Sequence, residues 1–423
     1  MMTMRIAHFS DLHYGHGTLD ESDRCFRFAV ETAIGRQVDL AVISGDSTHH
    51  ALEAHSPALA ALAVQVRRLL DHCPVLILQG TFSHEPPGTL SLFRFMGGRY
   101  QALVADHLEQ VVLTQAREWV RSPGWRFDKV PPDAHLLCSC VPTLNKASLA
   151  AAVGAADAAS VMGEHIATVL RGFSHANAWA RSHGIPTIGV AHGTVNDCET
   201  EHGVPMAGLD HEFTANDLLA AGADAFMLGH IHLHQTWSRG RQLIAYPGSV
   251  GRNHYGERGD KVFLIWNLDT DGATFEAIPT PARTMTEFSF AGPPDMAELE
   301  AWTTTHDVAG TWVRIRWTYL EEEQSSIDRS RIEALFRGAA NLKLEGRMVP
   351  LACTRATGIT QHLTLEEKVQ RWASIAEVDS APLIAALDDL RRYDPAKIAQ
   401  RLLLPSVSTP ESAHRSLELD TPR

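Results

Sequence analysis

The stretch HFSDLHYG, His8–Gly15, joins a run of apolar residues to a cluster of polar ones. The apolar part belongs to RIAHFS (Arg5–Ser10), whose pattern predicts a buried strand, and Asp11 and His13 follow directly after it. The next segments alternate between helix-like and strand-like patterns, in the order Asp20–Gly35 (helix), Val38–Ser44 (strand), Ser56–His72 (helix) and Pro74–Gln79 (strand). A βαβαβ order of this kind predicts parallel strands joined by right-handed crossovers.

Polar groups follow the other predicted strands in the same way. ISGDSTHH supplies Asp46 and His49, QGTFSHE supplies Ser83 and His84, VAHGTV supplies His192, and LGHIHLH supplies His230 and His232. The carboxyl ends of parallel strands lie along one edge of a sheet, where open α/β folds bind ligands, so we expect these side chains to lie together. One such histidine alone is uninformative, whereas the ordered set is hard to obtain by chance.

The residue types and their spacing favour a metal centre. Residues i and i+2 of an extended segment share a face, so Asp11 and His13 can bind one ion, and so can His230 and His232. Asp46 can bridge two ions roughly 3.5–4 Å apart. Mixed imidazole and carboxylate ligands suit manganese, iron or zinc better than calcium. Two such ions clamp the attacking and leaving oxygens of a phosphoester, so the pattern predicts phosphoester hydrolysis.

The pattern of the chain changes near Pro279. Before this residue, strand-like runs occupy Ala134–Pro142, Ile185–Gly193, Ala223–His232 and Arg241–Ser249, a helical stretch runs from about Lys146 to His183, and an antiparallel pair of strands comes last. After it, a helix near Met296–Thr304, a strand Thr311–Trp317, a helix near Ile327–Ala339 and one more strand predict a small α+β unit. The chain then looks helical from Leu363 to Leu404, and a polar tail follows.

Composition narrows the class of protein. A chain of 423 residues predicts two or three domains. The formal net charge of −13 argues mildly against nucleic-acid binding through bulk positive charge, although metal ions would supply a local positive field. No apolar run approaches the roughly 20 residues of a membrane span, and no signal peptide is predicted. The 6 Cys lack framework spacing, so buried thiols at Cys138 and Cys140 and a reducing cytoplasm are expected.

The ordered set D-x-H, G-D, S-H, H-G and G-H-x-H resembles the calcineurin-like metallophosphoesterase superfamily. Within it, SDLHYG, SGDSTHH, LGHIHLHQ and YPGSVGRNHYGER are most similar to the SbcD-type DNA double-strand-break repair nucleases. This resemblance is strongest up to the loop after YPGS and weaker beyond it. It implies an α/β fold, with a two-layered β-sandwich flanked by helices, a small α+β capping domain and C-terminal helices.

The resemblance also implies roles for residues at matching positions. The expected ligands of two divalent ions, with manganese as the expected metal and Asp46 as the bridge, are Asp11, His13, Asp46, His192, His230 and His232. His84 matches a histidine that assists the leaving group, and His49 matches one that holds the substrate strand. The family motif G-N-H-D/E has an Asn ligand, whereas TFS separates Gly80 from His84 here, and Ser83 is assigned as a weaker neutral ligand.

The activity implied by the resemblance is that of a metal-dependent exonuclease and endonuclease on DNA ends. The expected assembly is an SbcCD-like complex, in which a homodimer binds an SbcC-type coiled-coil ATPase in the cytoplasm and no membrane is involved. The expected domains are a nuclease domain (1–280), a DNA-capping-like domain (281–362), a helical partner-binding segment (363–405) and a flexible tail (406–423).

Several alternatives stay open. The chain can instead be a stand-alone metallophosphoesterase acting on small phosphodiesters, or a non-catalytic subunit that binds DNA or the ATPase. An apolar stripe on the C-terminal helices either docks the ATPase or packs on its own domain. Arg252, His254 and Arg258 after YPGS either contact phosphates or form a solvated loop.

Overall fold

Two β-sheets packed face to face, with helices on their outer sides, form the larger part of the structure. The computed structural model describes residues 3–143, 155–200, 202, 213–269, 272–349, 359–361, 364–395 and 397–398. The described strands are β1 (Met4–Phe9), β2 (Leu40–Ile43), β3 (Val75–Leu78), β4 (Ala102–Ala105), β5 (Glu109–Thr114), β6 (Trp119–Arg121), β7 (Ala134–Val141), β8 (Thr187–His192), β9 (Ala225–Gly229), β10 (Gln235–Arg239), β11 (Gln242–Tyr246), β12 (Val262–Asp269), β13 (Gly272–Pro279), β14 (Met285–Phe290), β15 (Trp312–Tyr319) and β16 (Asn341–Met348). The described α-helices are α1 (Leu19–Gly35), α2 (Pro57–His72), α3 (Ala155–Ser182), α4 (Ala215–Ala220), α5 (Met296–Thr305), α6 (Arg329–Leu335), α7 (Leu365–Ile375) and α8 (Ser380–Arg392).

The topology of the two large sheets explains why strand ends converge. The first sheet has the order β13-β12-β1-β2-β3-β4, with β1 to β4 parallel and the β12–β13 pair antiparallel to each other. The second has the order β10-β11-β9-β8-β7-β5-β6, with β7, β8, β9 and β11 parallel. Helices connect successive parallel strands, except that β10 connects β9 to β11, and the carboxyl ends of the parallel strands lie on one side of each sheet.

Alternation along the strands sends side chains to two different cores. In β1, Ile6 enters the core between the two sheets, whereas Phe9 packs toward α1 and α2. Cys138 and Cys140 of β7 lie in the core between the sheets, and both are free and buried, as predicted. Helix α3 covers the other face of the second sheet, for example through Phe173. The result is the predicted β-sandwich flanked by helices.

Several strands were not predicted from the sequence. They are β4, β5, β6, β10 and β14. Strand β10 lies at the edge of its sheet, and its residues Gln235–Arg239 are partly or fully exposed and, apart from Trp237, polar, so no apolar run marks it. The predicted helix from Lys146 is described only from Ala155, and residues 144–154 lie outside the described part of the chain.

A third sheet, β14-β15-β16, forms the unit that follows Pro279. Its three strands are parallel, and α5 and α6 provide the two crossovers. Helices α5 and α6 cover one face of this sheet, where Val313, Ile315 and Phe336 form part of a small core. Because β14 was not predicted, the sequence indicated an α+β unit, whereas the observed order is a compact βαβαβ.

The described residues from Val349 onward belong to a separate unit. Helix α7 begins with a capping box, in which the Thr364 hydroxyl accepts a hydrogen bond from the Glu367 amide and the Glu367 carboxylate accepts one from the Thr364 amide. An ion pair between Glu366 and Arg391 joins α7 to α8. The predicted tail, 406–423, lies outside the described residues. Among the residues that are described, no helix has both the length and the apolar character needed to cross a bilayer.

Candidate metal centre

Seven side chains from the ends of five strands meet where the two large sheets adjoin. They come after β1 (Asp11, His13), after β2 (Asp46), after β3 (His84), at the end of β8 (His192) and after β9 (His230, His232). Together with His49, they form three groups of convergent nitrogen and oxygen atoms, and within each group these atoms lie within 4.8 Å of one another. The structure therefore brings these side chains together as predicted, but from the strand ends of two facing sheets rather than along one edge of a single sheet.

One group consists of Asp11, His13 and His232. The Nε2 atoms of His13 and His232 lie 2.9 Å apart, and the His232 Nε2 atom lies 3.7 Å from Asp11 Oδ1. Asp11 and His13 are buried, so these lone pairs are screened from water. Two nitrogens and a carboxylate oxygen that converge in this way suit a divalent transition-metal ion.

A second group consists of Asp46, His192 and His230. The His192 Nδ1 atom lies 2.8 Å from the Ser44 carbonyl oxygen, to which it donates, and this contact turns the His192 Nε2 atom toward Asp46 Oδ2 at 3.4 Å. The close packing requires glycine at position 45, because a Cβ there would lie 2.2 Å from His192 Nδ1. Gly45 also has a φ of +106°, which glycine adopts without strain.

Four of the candidate ligands have left-handed backbone conformations. The φ values are 51° for Asp11, 47° for His13, 51° for Asp46 and 105° for His230. Each such residue costs about 1–3 kcal/mol, and the surrounding structure must compensate. Part of the compensation comes from main-chain bonds between the two loops, since the Asp11 amide donates to the Gly45 carbonyl and the His13 amide to the Asp46 carbonyl. Strain of this kind concentrates at functional sites.

Burial and neighbouring charges shift the pKa values of these groups in opposite directions. Burial raises the pKa of Asp11 to about 6 and lowers that of His13 to about 3. Burial alone would lower the pKa of His192 as well, but the Asp46 and Asp11 carboxylates outweigh it and raise that pKa to about 10. Titratable groups perturbed this strongly, in one cluster, mark a candidate functional site.

His84 lies beside this centre with one nitrogen directed toward it. Its Nδ1 atom contacts the His49 carbonyl oxygen, which can only accept, so Nδ1 is the donor and Nε2 faces the site. The Nε2 atom lies 4.0 Å from Asp46 Oδ2, and the side chain remains 30% exposed, so a substrate can reach it. The imidazole of His49 lies next to it, with ring centroids 5.5 Å apart. His13, His49 and His84 form a third group of convergent donor atoms.

The loop after β3 places Thr81, rather than Ser83, beside the candidate ligands Asp46 and His192. Ser83 is exposed, and within the described part of the chain no hydrogen bond joins its side chain to Asp46 or His192. The Thr81 amide donates to Asp46 Oδ1 at 2.6 Å, and the Thr81 hydroxyl lies 3.2 Å from Asp46 Oδ2 and 3.2 Å from His192 Nε2. Thr81 was not predicted from the sequence, although it directly follows Gly80, as the Asn of the family motif does.

Glu85 holds this loop in place. Its buried carboxylate accepts hydrogen bonds from the amides of Ser47 and Gly80, which lie in the two loops that carry Asp46 and Thr81. Burial and the nearby Asp46 carboxylate raise the pKa of Glu85 to about 7. The carboxylate of Glu85 therefore holds the two loops together from a buried position.

The loop after YPGS is held by two buried glutamates. Glu21 accepts hydrogen bonds from the amides of Arg252 and Arg283, and Glu257 accepts them from the amides of Asn253 and His254. The Arg252 guanidinium donates to the carbonyls of Arg283 and Gly259, so it serves the loop rather than a phosphate. The exposed His254 ring stacks parallel to the His232 ring, with centroids 6.5 Å apart. Arg258 is exposed.

A buried ion pair connects this loop to a candidate ligand. Lys261 pairs with Glu257, and their side chains are 1% and 0% exposed. The Lys261 ammonium also donates to the His232 carbonyl oxygen at 2.9 Å. The pair thus ties the loop after YPGS to the backbone that carries His232, a connection for which the sequence offered no signal.

Replacing Lys261 with methionine should destabilise the protein strongly, because the buried Glu257 carboxylate would lose its counter-charge. We expect the free energy of unfolding, measured by urea denaturation, to fall by about 3–5 kcal/mol. Arg67→Met is the matched control, since Arg67 and Asp71 pair at the surface with side chains 55% and 53% exposed, and it should cost about 0–1 kcal/mol. Equal losses for the two variants would contradict the stabilising role of the buried pair.

Comparison with known proteins supports a phosphoesterase relationship. Over 226 residues the chain is 25% identical to a protein described as the uncharacterized metallophosphoesterase YhaO of Bacillus subtilis. The match covers 50% of this chain and 50% of the relative, so the chain spans about half the length of the curated relative it matches. No protein-family model matches the chain.

Solved structures give remote similarities. The anchor protein GAP50 of the inner membrane complex of Plasmodium has a TM-score of 0.44 at 11% identity, over 66% of this chain and 85% of that one. A dimetal phosphatase from Danio rerio has a TM-score of 0.41 at 11% identity, over 65% of this chain and 96% of that one. The similarity in sequence, together with the carboxylate and imidazole groups at the strand ends, supports a relationship with the metallophosphoesterases at the level of the superfamily.

Proposed function

We propose that the protein is a two-metal-dependent phosphodiesterase that cleaves DNA at its ends, with manganese as the metal. The observation that carries the proposal is that two separate groups of convergent donor atoms, one with Asp11, His13 and His232 and one with Asp46, His192 and His230, lie at the strand ends of the two sheets. When bound, two divalent ions supply Lewis-acid stabilisation of phosphoryl oxygens and activation of water. The chain itself contributes the buried donors that hold the ions, and His84, whose Nε2 atom in the protonated state can give a proton to the leaving oxygen.

The unit formed by β14, β15 and β16 is an argument for an extended substrate such as DNA rather than a small phosphodiester. Its sheet contacts the loop that borders the metal centre, because the Tyr255 hydroxyl donates to Asn341 Oδ1 at 3.2 Å and the Arg314 guanidinium lies 4.8 Å from the Tyr255 ring centroid. The face of this sheet opposite α5 and α6 carries Arg316, which pairs with Glu287 and Glu345, and Lys343, which pairs with Glu345. A DNA phosphate on this face would replace these carboxylates as the partner of the cations. A small phosphodiester needs no such surface next to the site, whereas a DNA strand has further phosphates to contact.

The direct test compares two substrates. The purified protein is incubated with linear DNA and, separately, with bis-p-nitrophenyl phosphate, each with Mn²⁺ or with EDTA. Mn²⁺-dependent cleavage of DNA supports the proposal. Cleavage of the small substrate alone favours a stand-alone phosphodiesterase, and cleavage of neither favours a non-catalytic subunit.

We further propose a homodimer in the cytoplasm that binds an SbcC-type coiled-coil ATPase through α7 and α8. These helices expose large apolar side chains, namely Leu365, Trp372, Ile375, Leu383 and Leu390. Leu390 is 65% exposed. Exposed apolar side chains that lie close together on one surface often mark a protein–protein contact, which supports a binding role for these helices. Packing of the same stripe on another part of the protein is the competing explanation.

Truncation after His362 separates these explanations. The shortened protein should retain Mn²⁺-dependent cleavage, because every candidate ligand lies before this residue, and it should lose the ATPase. Binding is measured by pull-down with the purified ATPase, and cleavage by the DNA assay. Unchanged affinity of the truncated protein for the ATPase would show that the helices are not the docking surface.

A further inference from the structure

The Thr81 hydroxyl faces two atoms that both carry lone pairs. One is Asp46 Oδ2 and the other is His192 Nε2, each 3.2 Å from Thr81 Oγ1. His192 uses its Nδ1 hydrogen for the Ser44 carbonyl, so in the neutral ring Nε2 is an acceptor. A hydroxyl has a single hydrogen and can donate to only one of these atoms at a time. The other contact is completed by a cation among the three atoms, either a proton on His192 Nε2 or a bound metal ion that takes its place.

The position of Thr81 is imposed by the backbone rather than by a flexible side chain. Its amide donates to Asp46 Oδ1 at 2.6 Å, which anchors the residue on the same carboxylate that its hydroxyl approaches. Gly80 permits this approach, because a Cβ there would lie 2.2 Å from both the Asp46 amide nitrogen and Asp46 Oδ1. Glu85 holds the Gly80 amide from the other side at 2.6 Å. The hydroxyl oxygen is thus preorganised beside Asp46 and His192.

We infer that Thr81 Oγ1 is a neutral oxygen ligand for the cation held by Asp46, His192 and His230. The inference rests on the proposed function, since it assumes that this group of donors binds an ion. It assigns to Thr81 the part that an amide oxygen plays in the family motif, and it removes Ser83 from that part. A neutral hydroxyl is a weaker donor than a carboxylate or an imidazole, so this site should be the lower-affinity member of the pair.

The test measures metal binding directly, without reference to turnover. Protein freed of metal with a chelator is titrated with Mn²⁺ by calorimetry, for wild type, Thr81→Val, Thr81→Ser and Ser83→Ala. Valine keeps the shape of threonine but has no hydroxyl, and serine keeps the hydroxyl. We expect Thr81→Val to weaken one of the two sites about 10- to 100-fold and leave the other unchanged, whereas Thr81→Ser and Ser83→Ala bind like wild type. The thermal shift produced by saturating Mn²⁺ gives a second readout, because a ligand stabilises the state that binds it.

The possible failures are distinguishable. If the Thr81→Val titration overlays that of wild type while wild type binds two ions, the hydroxyl only forms a hydrogen bond and the inference is wrong. If Ser83→Ala weakens binding instead, Ser83 is the ligand and the inference is again wrong. If wild type itself binds no Mn²⁺, the proposed function fails and this inference fails with it. Circular dichroism of each variant confirms that it is folded, and Thr81→Ala repeats the test if the valine variant is not.

Discussion

Replacement of His230 by alanine should release at least one metal ion and abolish nearly all phosphodiesterase activity. His230 shares its group with Asp46 and His192, so the loss of one imidazole removes a large part of that donor set. The backbone amide of His230, which donates to the Asp11 carboxylate at 3.1 Å, is retained in the variant. The effect therefore reports on the imidazole alone. We expect activity to fall by about 10²-fold or more, since even indirect disturbance of a metal ligand typically costs 10- to 100-fold.

The neighbouring His234 provides a matched control for this experiment. It lies in the same HIHLH segment, but its Nδ1 atom donates to the Tyr246 carbonyl oxygen at 2.7 Å and it belongs to none of the donor groups found in the described part of the chain. His234→Ala should keep both ions. Metal content is measured by elemental analysis and activity by DNA cleavage. Full activity and unchanged metal content in His230→Ala would refute the assignment of His230 as a ligand.

His84→Gln should retain both ions and DNA binding but lose most of its turnover. Glutamine keeps a polar side chain of similar reach, but it cannot carry a proton to a leaving oxygen at neutral pH. General-acid assistance is typically worth about 10²–10⁴ in rate, so kcat should fall within that range. The nucleophile, the ions and the remaining contacts would be unaffected, so KM should change little.

A titration with Mn²⁺ decides between two roles for His84. The structure makes the alternative concrete, because the nitrogens of His13, His49 and His84 also converge within 4.8 Å and could together bind a cation. If His84 acts on the phosphate, the rate of His84→Gln stays low at every Mn²⁺ concentration. Recovery of the rate at high Mn²⁺ would instead identify His84 as a ligand.

The donors of the candidate centre were predictable because their signals are local. Asp11, His13, His230 and His232 follow apolar runs, and a run of buried residues ending in polar ones needs no knowledge of distant parts of the chain to be recognised. The parallel arrangement of the first sheet could be predicted for a similar reason, because alternating strand and helix patterns allow few topologies. These features predict that the side chains lie at strand ends, whereas the structure divides those strands between two sheets, with Asp11 and His13 after a strand of the first and His230 and His232 after a strand of the second.

The choice between neighbouring residues in one loop depended on long-range contacts. Ser83 and Thr81 are equally plausible oxygen donors in sequence, and only the path of the loop turns Thr81 toward Asp46 and leaves Ser83 exposed. That path is set by the buried Glu85, which bonds to the amides of both Ser47 and Gly80. Hydrogen bonds between segments almost forty residues apart leave no periodic trace in the sequence.

The same limit applies to the buried charges around the centre. In the sequence, Glu21, Glu257 and Lys261 resemble ordinary surface residues, because charged side chains are mostly exposed. In the structure each is buried and satisfied by loop amides, a carbonyl or an opposite charge. The sequence by itself thus determined which chemical groups reach the edge of the sheets. The tertiary structure decided which of them face one another, because burial and distance depend on how the two sheets and their loops pack.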